Sequence, residues 1–176
     1  MAEALSPAIP DSTEALATAV LKRACDAELK LATAESCTGG LVASLLTDVP
    51  GCSHAFERGF VVYTDEAKSE LLGVDIGLIK RHGAVSEPVA RAMAEGGLSR
   101  SHADIALSVT GYAESTPEPG AVGGLVHFAV ARRGGPTVHR CETFGEIGRA
   151  GVRLKCLEVG LEMMQEALGQ DGQRAA

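Results

Sequence analysis

The stretch from Ala32 to Thr47, ATAESCTGGLVASLLT, decides the fold. Its apolar beginning ends in the segment ESCT (35–38), and the pair Gly39-Gly40 follows. After the glycines, apolar side chains recur at helical spacing, at positions 41, 42, 45 and 46. The pattern predicts a strand, a turn of small residues and a helix.

Ser36 and Thr38 fall at the N-terminus of this predicted helix. Unpaired backbone N–H groups and the helix dipole favour negative charge there. One interpretation is a site for an anion or an oxyanion, with backbone donors around Thr38 and Gly39. The alternative is plain N-capping, since serine and threonine are preferred at that position in any helix.

The composition of the 176 residues narrows the function classes. The chain is long enough for one domain with a sizeable core. A net charge of −7, two tyrosines, four phenylalanines and no tryptophan argue against a nucleic-acid partner. Five cysteines without a CxxC pair, and histidines that stand singly, predict neither a disulfide framework nor a metal site. The chain shows neither a signal peptide nor a membrane span, so we expect a cytoplasmic protein without membrane contact.

Strands and helices alternate along the chain. Strands are predicted near 31–34, 57–63, 104–110, 124–132 and 137–144, and helices near 11–27, 41–47, 65–72, 76–81, from 86 and 147–168. Asp11 or Ser12 is expected to cap the first helix, and Ser86 the fifth. This order predicts a single three-layer α/β/α domain with a mixed sheet over residues 11–170, between a flexible leader (1–10) and a polar tail (171–176).

Several polar residues follow predicted strand ends. In an open α/β sheet, ligands bind beyond the carboxyl ends of the strands, where Ser36, Tyr63 and Thr110-Gly111 are expected. Lys68 follows Tyr63 by five positions. A serine activated by a buried lysine of lowered pKa is one chemical solution to acyl transfer. The alternative is that Lys68 is a solvated helix residue.

Three segments, 33–74, 82–96 and 103–111, carry a resemblance to a known family. With AESCTGG, the Tyr-x-x-x-x-Lys spacing, GAVSE and SVTG in this order, the chain resembles the CinA C-terminal domain family of nicotinamide-nucleotide amidases over roughly residues 14–168. Members of this family hydrolyse the carboxamide of nicotinamide mononucleotide to nicotinic acid mononucleotide and ammonia. The resemblance implies the same reaction here, on a small nucleotide substrate and without a metal or other cofactor.

The resemblance also implies roles for individual residues. Ser36 is the implied nucleophile and Lys68 its base. Substrate contacts are implied for Thr38, Gly39, Gly40, Tyr63, Thr110, Gly111 and Arg149. An arginine at the start of the last helix, Arg149 or Arg153, suits a phosphate partner, and the alternative for Arg149 is a surface charge. If Arg149 faces the same pocket, it is also expected to lower the pKa of Lys68.

One loop departs from the family. After SVTG the family usually continues with Ile-Ala-Gly-Pro, a Gly-Gly pair and Lys-Pro-Val-Gly, whereas residues 112–120 read YAESTPEPG and are about two residues shorter. Added carboxylates, Glu114 among them, would repel a phosphate. The alternative function is therefore a catalytically silent relative that binds a nucleotide or a protein partner. We also expect a homo-oligomer that lacks the family's frequent N-terminal partner domain.

Overall fold

The computed structural model describes residues 9–115 and 120–169, and its centre is one five-stranded sheet. The strands are β1 (Leu31–Glu35), β2 (Phe56–Val61), β3 (Ile105–Gly111), β4 (Leu125–Arg132) and β5 (Val138–Thr143). Their order is β2-β1-β3-β4-β5. β1 pairs in parallel with β2 and β3, and β4 pairs antiparallel with β3 and β5. The predicted mixed sheet is confirmed.

Helices cover both faces of this sheet. They are α1 (Asp11–Asp26), α2 (Leu41–Leu46), α3 (Asp65–Leu72), α4 (Ile76–His82), α5 (Glu87–Ser99) and α6 (Gly148–Gly169). α1, α2 and α6 pack together on one face, and α3, α4 and α5 on the other. The central strand β3 is buried along nearly its whole length because it is covered on both sides. The predicted three-layer α/β/α fold is confirmed.

The cap predicted for the first helix is wrong, and the position predicted for the cap of the fifth helix is confirmed. α1 begins after Pro10, whose carbonyl accepts the N–H of Thr13 (2.8 Å), so neither Asp11 nor Ser12 serves as the cap. Ser86 occupies the cap position of α5, but its hydroxyl donates to the Gly83 carbonyl (2.8 Å) and accepts no N–H of the helix. Residues 1–8 of the predicted leader and the whole predicted tail (171–176) lie outside the described residues.

No helix within the described ranges has the length and apolar character that a membrane crossing needs.

Two adjacent glycines in α5 set how closely α3 and the sheet approach that helix. A Cβ atom on Gly96 would overlap the carbonyl oxygen of Leu72 and lie 2.9 Å from its Cβ. A Cβ atom on Gly97 would make ordinary contacts, 3.5 and 3.6 Å from the Cβ atoms of two alanines in β1 and β3. Lys68 lies one turn before Leu72 in α3. The close contact at Gly96 therefore also positions the predicted base.

We expect Gly96→Ala and Gly97→Ala to change stability in opposite directions. Overpacking against Leu72 should lower the free energy of unfolding of Gly96→Ala by about 1–3 kcal/mol. The matched variant Gly97→Ala should gain up to about 1 kcal/mol, because alanine favours the helix and the added methyl fits. Urea unfolding followed by circular dichroism measures both. Equal midpoints for the two variants would contradict the close approach of α3.

Candidate active site

The turn after β1 is built around the carboxylate of Glu35, which is fully buried. Its Oε2 atom accepts hydrogen bonds from Thr38 Oγ1 (2.7 Å) and from the N–H groups of Gly40 and Val42 (3.1 Å each). Its Oε1 atom accepts from the N–H of Ala43 (2.8 Å). A resident carboxylate thus satisfies the N-terminal donors of α2.

This arrangement corrects the predicted use of the helix terminus. The N–H of Gly39 donates to the Ser36 carbonyl (3.1 Å), so it is not a donor for a ligand. Thr38, Gly39 and Gly40, which were predicted to contact substrate, lie behind Ser36 and do not line the cleft described next. The N–H groups of Cys37 and Thr38 have no hydrogen-bond acceptor in the part of the chain that the structure describes. The free backbone donors therefore follow Ser36 directly.

A cleft of about 590 Å³ opens beyond the carboxyl ends of the central strands. It brings together most of the predicted site residues, namely Ser36, Tyr63, Lys68, Thr110, Gly111 and Arg149. The cleft is also lined by residues that were not among the predicted site residues, including Cys37, Asp65, Ala84 and Tyr112. Residues from the turn after β1, from β3, from α3 and from α6 thus meet in one cavity, at the sheet edge where ligands of α/β proteins bind.

Lys68 is only 2 % exposed, so it is not a solvated helix residue. Burial lowers the pKa of its ammonium, and Coulombic interactions with Asp65 and Cys37 act in the opposite direction. Its Nζ atom donates to the Tyr63 carbonyl (3.3 Å). Arg149, which was expected to lower the pKa of Lys68, is not among the groups that affect it. Desolvation lowers this pKa instead.

Thr110 and Gly111 shape the floor of the cleft. The Thr110 hydroxyl donates to the carbonyl of Ala84 (2.9 Å), which fixes the loop before α5 against the end of β3. A Cβ atom on Gly111 would lie 2.7 Å from Cγ2 of Val126 and 2.8 Å from the Leu125 carbonyl oxygen. The glycine is therefore required by the close approach of β4.

The two candidate arginines of α6 have different positions. Arg149 lies in the first turn, lines the cleft and contacts the carboxylate of Glu114 and the hydroxyl of Tyr63. Arg153, one turn later, donates from Nη2 to the Thr38 carbonyl (2.8 Å) and so supports the turn that carries Ser36. Of the two, Arg149 is the arginine that lines the cleft.

The cleft brings together the hydroxyl of Ser36, an amine whose pKa is lowered and, directly after Ser36, the N–H group of Cys37. This set of groups is suited to acyl transfer. Within the described ranges, no three His, Cys, Asp or Glu side chains are grouped so that they could hold a metal ion.

The sequence model of the CinA C-terminal domain family matches residues 13–168. The chain belongs to this family. A CinA-like protein of Akkermansia muciniphila is 55% identical over 122 residues, which cover 68% of this chain and 29% of the relative. A CinA-like protein of Mycolicibacterium vanbaalenii is 46% identical over 143 residues, which cover 81% of this chain and 34% of the relative. This CinA domain thus spans about a third of the length of these curated relatives.

Solved structures of the family have the same fold. The competence/damage inducible protein CihA of Agrobacterium tumefaciens matches with a TM-score of 0.87 and 40% identity, over 93% of this chain and 99% of that one. A CinA superfamily protein of Escherichia coli matches with a TM-score of 0.83 and 32% identity, over 92% and 94% of the two chains. These names refer to competence and damage and specify no reaction.

Removal of the Glu35 carboxylate should destabilise the turn that carries Ser36. In Glu35→Ala the Thr38 hydroxyl and three N–H groups lose their acceptor, and we expect the free energy of unfolding to fall by about 3 kcal/mol or more. Glu35→Gln keeps one acceptor oxygen and should lie between this variant and the native chain. Glu70→Ala, an exposed change on α3, should stay within about 0.5 kcal/mol. If Glu35→Ala and Glu70→Ala unfold at the same urea concentration, the carboxylate does not stabilise the turn.

Proposed function

We propose that this CinA domain hydrolyses the carboxamide of nicotinamide mononucleotide to nicotinic acid mononucleotide and ammonia. The observation that carries the proposal is the buried Lys68, whose lowered pKa makes it a base, in the same cleft as Ser36. The substrate is inferred from the family resemblance. An amide is a poor electrophile, so its hydrolysis needs both an activated nucleophile and donors for an oxyanion.

The proposed reaction begins with proton transfer from Ser36 to the neutral amine of Lys68. A neutral amine that donates one hydrogen to the Tyr63 carbonyl keeps its lone pair for this proton. Ser36 Oγ attacks the carboxamide carbon, and the N–H group of Cys37 stabilises the oxyanion. The Lys68 ammonium then protonates the amide nitrogen of the tetrahedral intermediate, and the C–N bond breaks to release ammonia. Water attacks the acyl-enzyme by the same path in reverse and releases the acid.

Two further residues suit the rest of the proposed substrate. Tyr63 lines the cleft and is 65% exposed, so its ring is suited to stack on a pyridine ring. The guanidinium of Arg149 is suited to a phosphate because it presents several donors in one plane.

The second candidate function is that of a silent relative that binds a nucleotide or a protein partner. The observation that favours it is the ion pair between Arg149 and Glu114. In this pair the guanidinium proposed to bind the phosphate already contacts a carboxylate. Calorimetric titration with the mononucleotide, run beside the hydrolysis assay, separates the two functions. Binding without turnover would favour the silent relative.

We expect purified protein to release ammonia from nicotinamide mononucleotide. Ser36→Ala and Lys68→Ala should each lower kcat/KM by about 10³-fold or more, because nucleophile and base act as one unit. Ser44→Ala and Lys80→Ala, which change exposed residues outside the cleft, are matched controls and should retain the native rate. Native activity in Ser36→Ala would rule out the serine mechanism.

The pH dependence of kcat/KM tests the role of Lys68 as the base and the effect of Asp65 on its pKa. Because Lys68 must be neutral to act, kcat/KM should rise with pH along a limb whose apparent pKa lies below the 10.5 of an ordinary lysine. The carboxylate of Asp65 stabilises the ammonium and raises this pKa. Asp65→Asn should therefore move the limb to lower pH, whereas Glu66→Gln, the next residue in the same turn, should move it less. A flat profile would remove Lys68 from the role of base.

A further inference from the structure

The cation expected to receive the substrate's phosphate already has an anionic partner. Arg149 Nη2 contacts Oε1 of Glu114, and both side chains line the cleft. Glu114 is the first cause that raises the pKa of Arg149, and a hydrogen bond with Tyr63 is the second. A single guanidinium cannot give the same donors to this carboxylate and to a phosphate at once.

The loop that carries Glu114 is anchored on both sides of this residue. The N–H of Tyr112 donates to the Leu125 carbonyl (2.9 Å), which continues the pairing of β3 with β4. The hydroxyl of Ser115 donates to Glu146 (2.8 Å), just before α6. These bonds hold Glu114 beside the first turn of α6, where a helix favours an anion.

The charge balance of the cleft makes this ion pair important. Its ionisable lining residues include two basic side chains, Lys68 and Arg149, and two acidic side chains, Asp65 and Glu114. When Lys68 is neutral, as the proposed mechanism requires, Arg149 is the remaining cation among the described lining residues, and the cleft also holds two carboxylates. A phosphate that binds to Arg149 must therefore displace Glu114 or share the guanidinium with it.

The exchange is physically accessible. The side chains of Arg149 and Glu114 are 43% and 53% exposed, and ion pairs in such surroundings are weak because water screens them. A phosphate carries more charge than a carboxylate and offers three oxygens. A phosphate can displace Glu114, but the binding free energy that it gains from Arg149 is reduced by the loss of the contact between Arg149 and Glu114.

We propose that Glu114 is a specificity-determining residue that competes with the substrate's phosphate for Arg149. The inference rests on the proposed function and refines its substrate class. The corresponding nucleoside has the same carboxamide as the mononucleotide but no phosphate. We expect the cleft to prefer the mononucleotide over this nucleoside by a smaller factor than it would if Arg149 had no carboxylate partner. In this view Glu114 widens the substrate range toward amides that carry no phosphate.

The test compares the mononucleotide with the nucleoside in four proteins: native, Glu114→Gln, Arg149→Gln and the double variant. The quantity is the ratio of the two kcat/KM values, which cancels effects on the shared amide chemistry. Glu114→Gln should raise this ratio roughly fivefold, from the lost ion pair and the lost repulsion. The rise should be absent when Arg149 is already glutamine. Glu70→Gln removes one exposed charge outside the cleft and should leave the ratio unchanged.

Binding measurements separate this inference from the proposed reaction. The same two compounds are titrated into the Ser36→Ala protein and into its Glu114→Gln and Arg149→Gln derivatives by calorimetry. If the native protein hydrolyses neither compound but Glu114→Gln raises the affinity ratio in the Ser36→Ala background, the proposed reaction fails and the inference stands. A ratio that Glu114→Gln does not change, an equal rise without Arg149, or no binding of either compound would overturn the inference.

Discussion

The hydrogen bonds of the Glu35 carboxylate are the interaction on which the site depends. α2 has only six residues, too few to form a helix without outside support. Glu35 supplies that support from the end of β1, and the chain between β1 and α2 carries Ser36, the proposed nucleophile. The N–H of Ser36 donates to the Val109 carbonyl (3.0 Å), which ties the same turn to β3. Ser36 is thus held between two strands and a capped helix.

Glutamates play related roles at two helix starts that border the cleft. Glu35 satisfies the first donors of α2 inside the protein, and Glu114 pairs with Arg149 in the first turn of α6. The first is fully buried and has several partners, so it belongs to the framework. The second is half exposed and has a replaceable partner, so it is open to exchange with a ligand. Burial therefore separates a structural carboxylate from a competing one.

Much of the fold followed from local signals in the sequence. Apolar periodicity and glycine turns located the strands and helices, and the positions after strand ends brought Ser36, Lys68 and Thr110 to one edge. The role of Glu35 in capping α2 was missed, because an acidic residue after an apolar run indicates only that a strand ends. The pair of Glu114 and Arg149 joins segments far apart in the chain, which no local pattern reports. The homo-oligomer, the cytoplasmic location and the absence of a nucleic-acid partner stay predictions.

The strand order has a consequence for how the domain folds. The β4–β5 hairpin joins neighbours in the chain, but β1 must pair in parallel with β3, with Leu31 opposite Ile105, although β2 and four α-helices lie between them in the chain. Such long-range closure lowers folding rates, because loop entropy is lost before the contacts that offset it have formed. The cleft needs this pairing and also the docking of α6. The cleft would therefore form last in refolding, after most helical signal has recovered.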